Sequence, residues 1–310
     1  MPKAQSPEPR AGVDGVLVID KPVGPTSHDV VARVRRALRQ KRIGHTGTLD
    51  PLARGVLPLV IGRATRLASL LSSTEKEYVA GIRLGAATET YDAAGRVEGA
   101  GTPPDPGIGR DAVESALERF RGAFEQTPPA YSAKKVGGVA AYTLARKQQA
   151  PALEAVQVAT RSLYVLGLDA GLLTIRVVTT PGFYVRSLAH DLGSALGCGG
   201  YLESLERTRA GPFELTDAVR LQEVEHDALL AAGRIIPLER LLPELPVVRL
   251  TPHGVTKASH GNALTPADLA ALEPGPEPTA PVRLFDPDGR LLGLARQSPD
   301  GLLRPFVVLV

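Results

Sequence analysis

A single carboxylate in a glycine-flanked loop near the N-terminus is the strongest candidate for chemistry in this sequence. The loop reads Gly-His-Thr-Gly-Thr-Leu-Asp-Pro-Leu-Ala and covers residues 44–53. Pro51 biases Asp50 away from helical backbone angles, and the glycines allow a ligand to approach the main chain closely. Residues 44–59 contain no cysteine and no second acidic residue, so the loop alone cannot supply a metal site or a carboxylate pair. Asp50 could therefore act as a covalent nucleophile or simply shape a turn.

Two clusters of basic residues are candidates for contact with an anionic partner. The first leads directly into the loop and has no acidic residue among Arg33, Arg35, Arg36, Arg39, Lys41 and Arg42. The second, Lys134 and Lys135, belongs to a segment over about 128–151 that is either a mobile loop or an ordinary surface insertion. The net charge is only +3, but the sequence pI is about 9.0. The first cluster is therefore either a solvated face or a phosphate-contacting surface.

Hydrophobic patterns predict the strands and helices that must position the loop. They indicate strands over 15–20, 56–61 and 78–84, a hairpin over 163–178, and helices after residue 26, over 111–120, from 186 and over about 221–232. Thr26 or Ser27 would cap the first helix. Arg186 lies near the start of a helix, where the dipole disfavours a cation, so we expect a carboxylate to be paired with it.

The pattern changes near residue 246. Residues 241–246 are typical of a linker, and short strands predominate from Val247 onward, with Pro-Asp-Gly turns at 287–289 and 299–301. The sequence therefore predicts a disordered tail over 1–14, a large domain over 15–245 and a small β-rich domain over 246–310.

Composition narrows the classes of function. A chain of 310 residues with 43% hydrophobic content can form a packed core, and no stretch predicts a membrane span. Cys198 is the only cysteine, which fits a reducing compartment and excludes an internal disulfide. The six histidines are scattered, so we expect no bound metal. The single cysteine and the absence of a signal-peptide pattern lead us to expect a cytoplasmic protein.

Nearly the whole chain resembles the TruB family of bacterial tRNA pseudouridine-55 synthases. The matching motifs, in the order of the family, are Asp20-Lys21-Pro22-x-Gly24, Gly44-His45-Thr46-Gly47-Thr48-Leu49-Asp50-Pro51, Lys76-Glu77-Tyr78, Gly182-Phe183-Tyr184-Val185-Arg186, and Leu205. The tail from Val247 resembles the family's RNA-binding PUA domain. The resemblance implies an α+β fold: a catalytic domain with a mixed, mainly antiparallel central sheet, followed by a small PUA-like pseudobarrel.

The resemblance also implies roles for individual residues. Asp50 matches the nucleophile, and Arg186 matches the arginine paired with it. The side chains around the flipped base would be His45, Tyr78, Tyr184 and Leu205, while Lys21 would support the floor of the site. We expect the RNA backbone to contact Arg33, Arg36, Arg39, Lys134 and Lys135.

The implied reaction converts a uridine in the T-loop of tRNA to pseudouridine without a cofactor. The bond from C1′ to N1 breaks, and the uracil rotates and rejoins through C5. Asp50 could attack C1′ or C6, or act through a glycal route, and the residues leave these routes open. The target base must leave its stack, at a cost of about a few kcal/mol. We expect the protein to act as a monomer without an obligate protein partner, and it could also assist tRNA folding.

Three alternatives remain open from the sequence. The chain could be a noncatalytic RNA-binding protein, a hydrolase with an aspartate nucleophile, or a guide-dependent subunit of an RNA–protein complex. The sequence also departs from the family pattern at two positions. Arg54 replaces an expected small hydroxyl residue, and Glu206 replaces an expected basic residue. Both departures concern RNA contacts rather than the chemistry.

Overall fold

The computed structural model describes residues 13–98, 108–132, 135–141, 144, 153–272 and 280–310. Most of the predicted tail over 1–14 lies outside these residues, and the segment over 128–151 is described only in part. The strands before residue 246 are β1 (Gly15–Lys21), β2 (Ile43–His45), β3 (Ala53–Ile61), β4 (Lys76–Leu84), β5 (Ala87–Thr88), β6 (Val97–Glu98), β7 (Gly122–Gln126), β8 (Lys135–Val136), β9 (Val139–Ala140), β10 (Val156–Asp169), β11 (Leu172–Thr179), β12 (Gly200–Ala210), β13 (Phe213–Glu214) and β14 (Val219–Arg220). The helices are α1 (Ser27–Ala37), α2 (Ala68–Ser72), α3 (Arg110–Leu117), α4 (Val185–Ala195), α5 (Leu221–His226) and α6 (Ala228–Gly233).

The central sheet is mixed and mainly antiparallel, as predicted. Its strands run in the order β14-β1-β3-β12-β4-β11-β10-β7, with β2 paired to β3 and β13 paired to β12. The pairs β1–β14 and β3–β12 are parallel. Because β3, β12 and β4 lie side by side, residues that are distant in the sequence share one surface at the centre of the sheet.

Strand β1 is buried on both faces of the sheet, which explains its continuous apolar sequence. Leu17 and Ile19 belong to the core that also contains residues of α1 and α4. Val16 and Val18 belong to a second core on the opposite face. The alternation follows the two-residue period of a strand.

Helix α1 leads the chain toward the loop over 44–53. The Thr26 hydroxyl accepts a hydrogen bond from the Asp29 N–H, and the Asp29 carboxylate accepts one from the Thr26 N–H. This capping box confirms the predicted start of the helix. Val30 and Val34 are buried, while the basic residues between and after them face solvent. The helix therefore presents a charged outer face next to the loop.

The predicted helix over 221–232 is divided into α5 and α6. Asp227 leaves helical angles at φ −135°, and its carboxylate accepts hydrogen bonds from the N–H groups of Leu229 and Leu230. This cap begins a new helix instead of extending the first one. None of the described helices is both long and apolar enough to cross a membrane.

The described part of the C-terminal region contains a five-stranded sheet and an α-helix that the strand-and-turn pattern did not predict. Its elements are β15 (Val247–Leu250), α7 (Pro252–Ser259), β16 (Leu269–Leu272), β17 (Val282–Phe285), β18 (Leu291–Gln297) and β19 (Leu303–Val308). The strand order is β16-β15-β17-β18-β19. The two predicted Pro-Asp-Gly turns connect β17 to β18 and β18 to β19. Helix α7 forms because Thr251 caps it and Pro252 occupies its first turn.

The C-terminal sheet packs against the back of the central sheet. Phe285, Leu291 and Leu309 share the second core with Val16 and Val60. Removal of the C-terminal region would therefore expose apolar surface of the large domain to water.

Candidate active site

The loop over 44–53 is attached to the sheet and to α1. Strand β2 pairs with β3, and the Thr46 N–H continues this contact by donating to the Pro58 carbonyl at 3.1 Å. From the other side, the buried Ser27 hydroxyl donates to the Leu49 carbonyl at 3.0 Å and accepts from the Leu49 N–H at 2.9 Å. The loop is thus held at both ends of its exposed part.

Asp50 lies at a turn, as the Asp-Pro sequence predicts. Its carbonyl accepts a hydrogen bond from the Ala53 N–H at 3.0 Å. Its side chain is 35% exposed and lines a cavity of about 280 Å³. The cavity is also lined by Gly47, Thr48, Leu49, Ser72, Lys76, Tyr78, Thr179, Thr180, Gly182, Phe183, Tyr184, Val185, Arg186, Leu205 and Arg207. The structure therefore brings four separate motifs to one cavity.

Arg186 makes the expected contact with a carboxylate. Its Nε lies 2.9 Å from Asp50 Oδ2, and its Nη1 lies 3.5 Å from Asp92 Oδ2. The guanidinium also donates to the carbonyls of Thr90 at 3.3 Å and Tyr131 at 3.0 Å. The side chain is only 8% exposed. Two carboxylates and two carbonyls thus compensate a buried cation at the unfavourable end of α4.

The pKa of Asp50 is raised above its ordinary value by burial. Arg186 opposes this rise, Asp92 adds to it, and Lys21 opposes it. Because Arg186 has the largest effect after burial, it is the group that most favours the ionised form of Asp50.

Lys21 lies beneath the loop rather than in the cavity lining. Its side chain is fully buried, and its Nζ donates to the carbonyls of Ala53 at 2.6 Å and Pro22 at 3.0 Å. Burial lowers the pKa of Lys21 to about 8. These contacts attach the end of β1 to the start of β3, directly after the Asp50 turn.

Three of the four residues expected around the base line the cavity. Tyr78 on β4 and Leu205 on β12 are nearly buried on adjacent strands. Tyr184 precedes α4, and the Gln126 side chain holds its backbone through two hydrogen bonds of 2.8 and 3.0 Å. These residues form two aromatic walls and one aliphatic wall within reach of Asp50.

His45, the fourth of these residues, lies beside the cavity and is not part of its lining. Its ring packs edge-to-face against His28 with 5.4 Å between centroids. Its Nδ1 accepts a 3.4 Å contact from the Gly47 N–H. Burial lowers the pKa of His45 to about 4, so the ring is neutral at neutral pH.

Three of the residues expected at the RNA backbone are described with their side chains, and these lie outside the cavity. Arg33, Arg36 and Arg39 are exposed on and just after α1, and Arg33 lies 3.9 Å from Glu225. Lys134 lies outside the described residues. Only the backbone of Lys135 is described, in β8.

The two departures from the family pattern contact each other. Arg54 on β3 and Glu206 on β12 are paired in the parallel register, and Arg54 Nε lies 3.1 Å from Glu206 Oε1. The acidic residue on one strand thus has a basic partner on the next, which accounts for both substitutions together.

Three charged residues at the site were not among the predicted site residues, although Lys76 belongs to one of the matching motifs. Asp92 contacts Arg186, and Thr90 holds it through a 2.6 Å hydrogen bond. Arg207 is fully buried and donates to the carbonyls of Val56 and Gly47. Lys76 lines the cavity two residues before Tyr78. The two-residue period of a strand could have identified both, because Lys76 lies two residues before Tyr78 and Arg207 two residues after Leu205, each on the same face as its neighbour.

The arrangement suits an aspartate nucleophile more than metal or acid–base hydrolysis. Among the described residues, no group of three or more His, Cys, Asp and Glu side chains could hold a metal ion. Asp92 is 5% exposed, contacts Arg186 and does not line the cavity. It is therefore unsuited to activate a water molecule on the substrate.

Family models match the chain from residue 35 to residue 309, apart from residues 244 and 245. Residues 35–185 match the family described as "TruB family pseudouridylate synthase (N terminal domain)". Residues 186–243 match "tRNA pseudouridylate synthase B C-terminal domain", and residues 246–309 match "Pseudouridine synthase II TruB, C-terminal".

Curated relatives and solved structures agree with these matches. A protein of Solibacter usitatus named tRNA pseudouridine synthase B is 49% identical over 76% of this chain and 80% of its own length. The protein of the same name from Cupriavidus metallidurans is 41% identical over 96% of this chain and 94% of its own. Among solved structures, a Cbf5-Nop10-Gar1 complex aligns with a TM-score of 0.73 and 26% identity, covering 99% of this chain and 92% of the other.

Proposed function

Because the chain belongs to the TruB family of pseudouridylate synthases, an isomerase family, we propose that it converts uridine 55 in the T-loop of tRNA to pseudouridine with Asp50 as the nucleophile. The observation that carries the proposal is the contact of the Asp50 carboxylate with Arg186 at a cavity with two aromatic walls. A carboxylate paired with a guanidinium can attack a sugar or base, and the partly apolar cavity beside it can retain the detached uracil.

The cavity residues have different roles in the reaction. Asp50 attacks C1′ or C6 or supports a glycal route, and the bond from C1′ to N1 breaks. Tyr78, Tyr184 and Leu205 hold the detached base while it rotates. The new bond joins C1′ to C5, the proton leaves C5, and N1 gains a proton, so the product has the same atoms as the substrate. None of these steps requires a cofactor.

Substrate access depends on extrusion of the uridine from the folded T-loop. The cavity of about 280 Å³ is at the small end of ligand sites and suits one nucleoside rather than a stacked helix. Flipping costs about a few kcal/mol. The exposed Arg33, Arg36 and Arg39, together with Lys134, Lys135 and the PUA-like C-terminal domain, would supply compensating phosphate contacts.

The test uses an unmodified tRNA transcript labelled with tritium at C5 of its uridines. Purified protein should release tritium from one position and form pseudouridine there, and a transcript with cytidine at position 55 should release none. Release of free uracil would indicate a hydrolase. Tight binding without either product would indicate a noncatalytic RNA-binding protein. Activity that requires an added guide RNA would indicate a subunit of an RNA–protein complex.

We also propose that the protein acts as a cytoplasmic monomer without a protein partner. The isolated chain should have the mass of one chain by light scattering. It should also be fully active without any added protein, in a buffer that contains EDTA. Assistance in tRNA folding would persist in Asp50→Asn, because that variant keeps the RNA-binding surface.

A further inference from the structure

One end of the cavity carries cations without carboxylate partners. Lys76 and Arg207 both line it, and their exposures are only 8% and 1%. Within the described part of the chain, neither side chain makes an ion pair with Asp or Glu, whereas Arg186 at the other end contacts two carboxylates. Buried cations without a counter-charge are costly and indicate a missing anion.

The two cations lie close together beside Gly47. A Cβ atom built on Gly47 would lie 3.5 Å from Arg207 Nη1 and 3.9 Å from Lys76 Cε. Burial and the neighbouring Arg207 charge lower the pKa of Lys76 to about 8. The Lys76 ammonium donates to the carbonyls of Ser72 and Thr74, the latter at 2.5 Å. An ammonium has three donors, so one remains for a ligand.

The charges around the cavity do not balance. Arg186 and the underlying Lys21 face the Asp50 and Asp92 carboxylates. Lys76 and Arg207 then remain as an excess of two positive charges among the described residues. The Arg207 guanidinium already donates hydrogen bonds to the carbonyls of Val56 and Gly47. It would therefore act on a ligand mainly through its electrostatic field.

The position of this excess charge fits a nucleotide whose base lies on Tyr78. Lys76 precedes Tyr78 by two residues on β4, which corresponds to about 7 Å along the strand. Tyr78 is paired with Arg207, and the next inward pair, Ala80 with Leu205, lies beside the start of β3 that follows Asp50. The cavity thus runs from the Asp50 end, past the base wall, to the cationic end.

We propose that Lys76, with the field of Arg207, binds a phosphodiester group that flanks the flipped uridine. This inference rests on the proposed function, because it requires an RNA substrate. The phosphate accepts a charge-assisted hydrogen bond from Lys76 and compensates the excess charge, and so anchors the backbone while the base enters the cavity.

The first test needs only wild-type protein and three versions of a T-stem-loop RNA. One has a neutral methylphosphonate on the 5′ side of the target uridine, one has it on the 3′ side, and a control has it in the stem. At low salt, one flanking substitution should raise the half-saturating enzyme concentration in single-turnover assays about tenfold. The stem substitution should change it by less than about twofold.

The second test identifies Lys76 as the partner of that phosphate. Lys76→Met should weaken binding of normal RNA about tenfold, lower the log–log salt slope by about 0.7, and make the flanking methylphosphonate harmless. Lys76→Arg should keep the sensitivity to the neutral linkage. Arg234→Met, which removes an exposed charge outside the cavity, is the matched control and should keep it as well. Thermal unfolding checks that each variant is folded.

The outcomes separate this inference from the proposed function. If wild-type protein forms no pseudouridine, the proposed function fails first. If it is active but none of the neutral linkages matters, no phosphate contact exists at the cavity and the inference is wrong. If the losses of binding free energy caused by Lys76→Met and by the neutral linkage are additive, the phosphate binds elsewhere and the inference is wrong. If Lys76→Met lowers only the rate at saturation, Lys76 acts on the base, which also overturns the inference.

Discussion

Replacement of Arg186 by Met should move the acid limb of the pH–rate profile upward. The reaction needs the ionised Asp50 carboxylate, whose pKa burial already raises and Arg186 opposes. Without the guanidinium, Asp50 keeps the unfavourable Asp92 charge and loses its main compensation. Protonation of Asp50 should therefore begin at higher pH, and activity should disappear earlier on acidification.

The size of the shift follows from the contact distance. At the observed 2.9 Å, Coulomb's law gives about 6 kcal/mol at an effective dielectric constant of 20 and about 1.4 kcal/mol in bulk water. Because the Asp50 side chain is 35% exposed, solvent screening favours an intermediate value of about 3 kcal/mol. That energy corresponds to an upward shift of about two pKa units.

The assay is the single-turnover rate at saturating enzyme, measured from about pH 4 to 9 for wild type, Arg186→Met and Arg186→Lys. The lysine variant keeps a positive charge but cannot reproduce the planar contacts with Asp50 and Asp92. It should keep the acid limb near that of wild type while its plateau rate falls severely. An Arg186→Met limb that coincides with the wild-type limb would refute control of Asp50 ionisation by Arg186. Thermal unfolding is the control, because removal of one partner of a buried ion pair can cost about 3–5 kcal/mol.

Three further substitutions test other residues of the site. Asp50→Asn should abolish isomerisation but keep RNA affinity within about a few-fold, because shape and hydrogen bonding remain; near-normal turnover would remove Asp50 from its role. Tyr78→Phe keeps the ring for stacking and loses the hydroxyl, so an unchanged single-turnover rate would exclude proton transfer by Tyr78. The pKa of His45 is lowered to about 4, so the unfolded chain binds the proton more readily; wild type should lose up to about 3 kcal/mol of stability between pH 6.5 and 4. His45→Gln should lack this loss. If chemical denaturation gives the same pH dependence of the unfolding free energy for wild type and His45→Gln, the low pKa of His45 is wrong.

Local patterns predicted the first helix and the Asp50 turn, but they did not predict every element: β12, which carries Leu205 and Arg207, was not among the predicted strands. Thr26 begins α1 as its capping sequence predicts, and the Asp-Pro sequence places Asp50 at a turn. These features depend on backbone preferences of neighbouring residues, which a short segment encodes by itself. Two predictions were wrong because a local cap begins a helix. Asp227 divides the predicted helix over 221–232 in two, and Thr251 begins a helix that was not predicted.

The amino-acid sequence alone was enough to select the candidate loop over 44–53 and, through motifs in a characteristic order, to indicate the family. Which charged side chains contact each other became clear only from the folded chain. The register of β3, β12 and β4 puts Arg207 beside Tyr78 and the Asp50 loop, and α4 brings Arg186 between Asp50 and Asp92. Charge pairing depends on distances in space, and strand register sets these distances between segments that are far apart in the sequence.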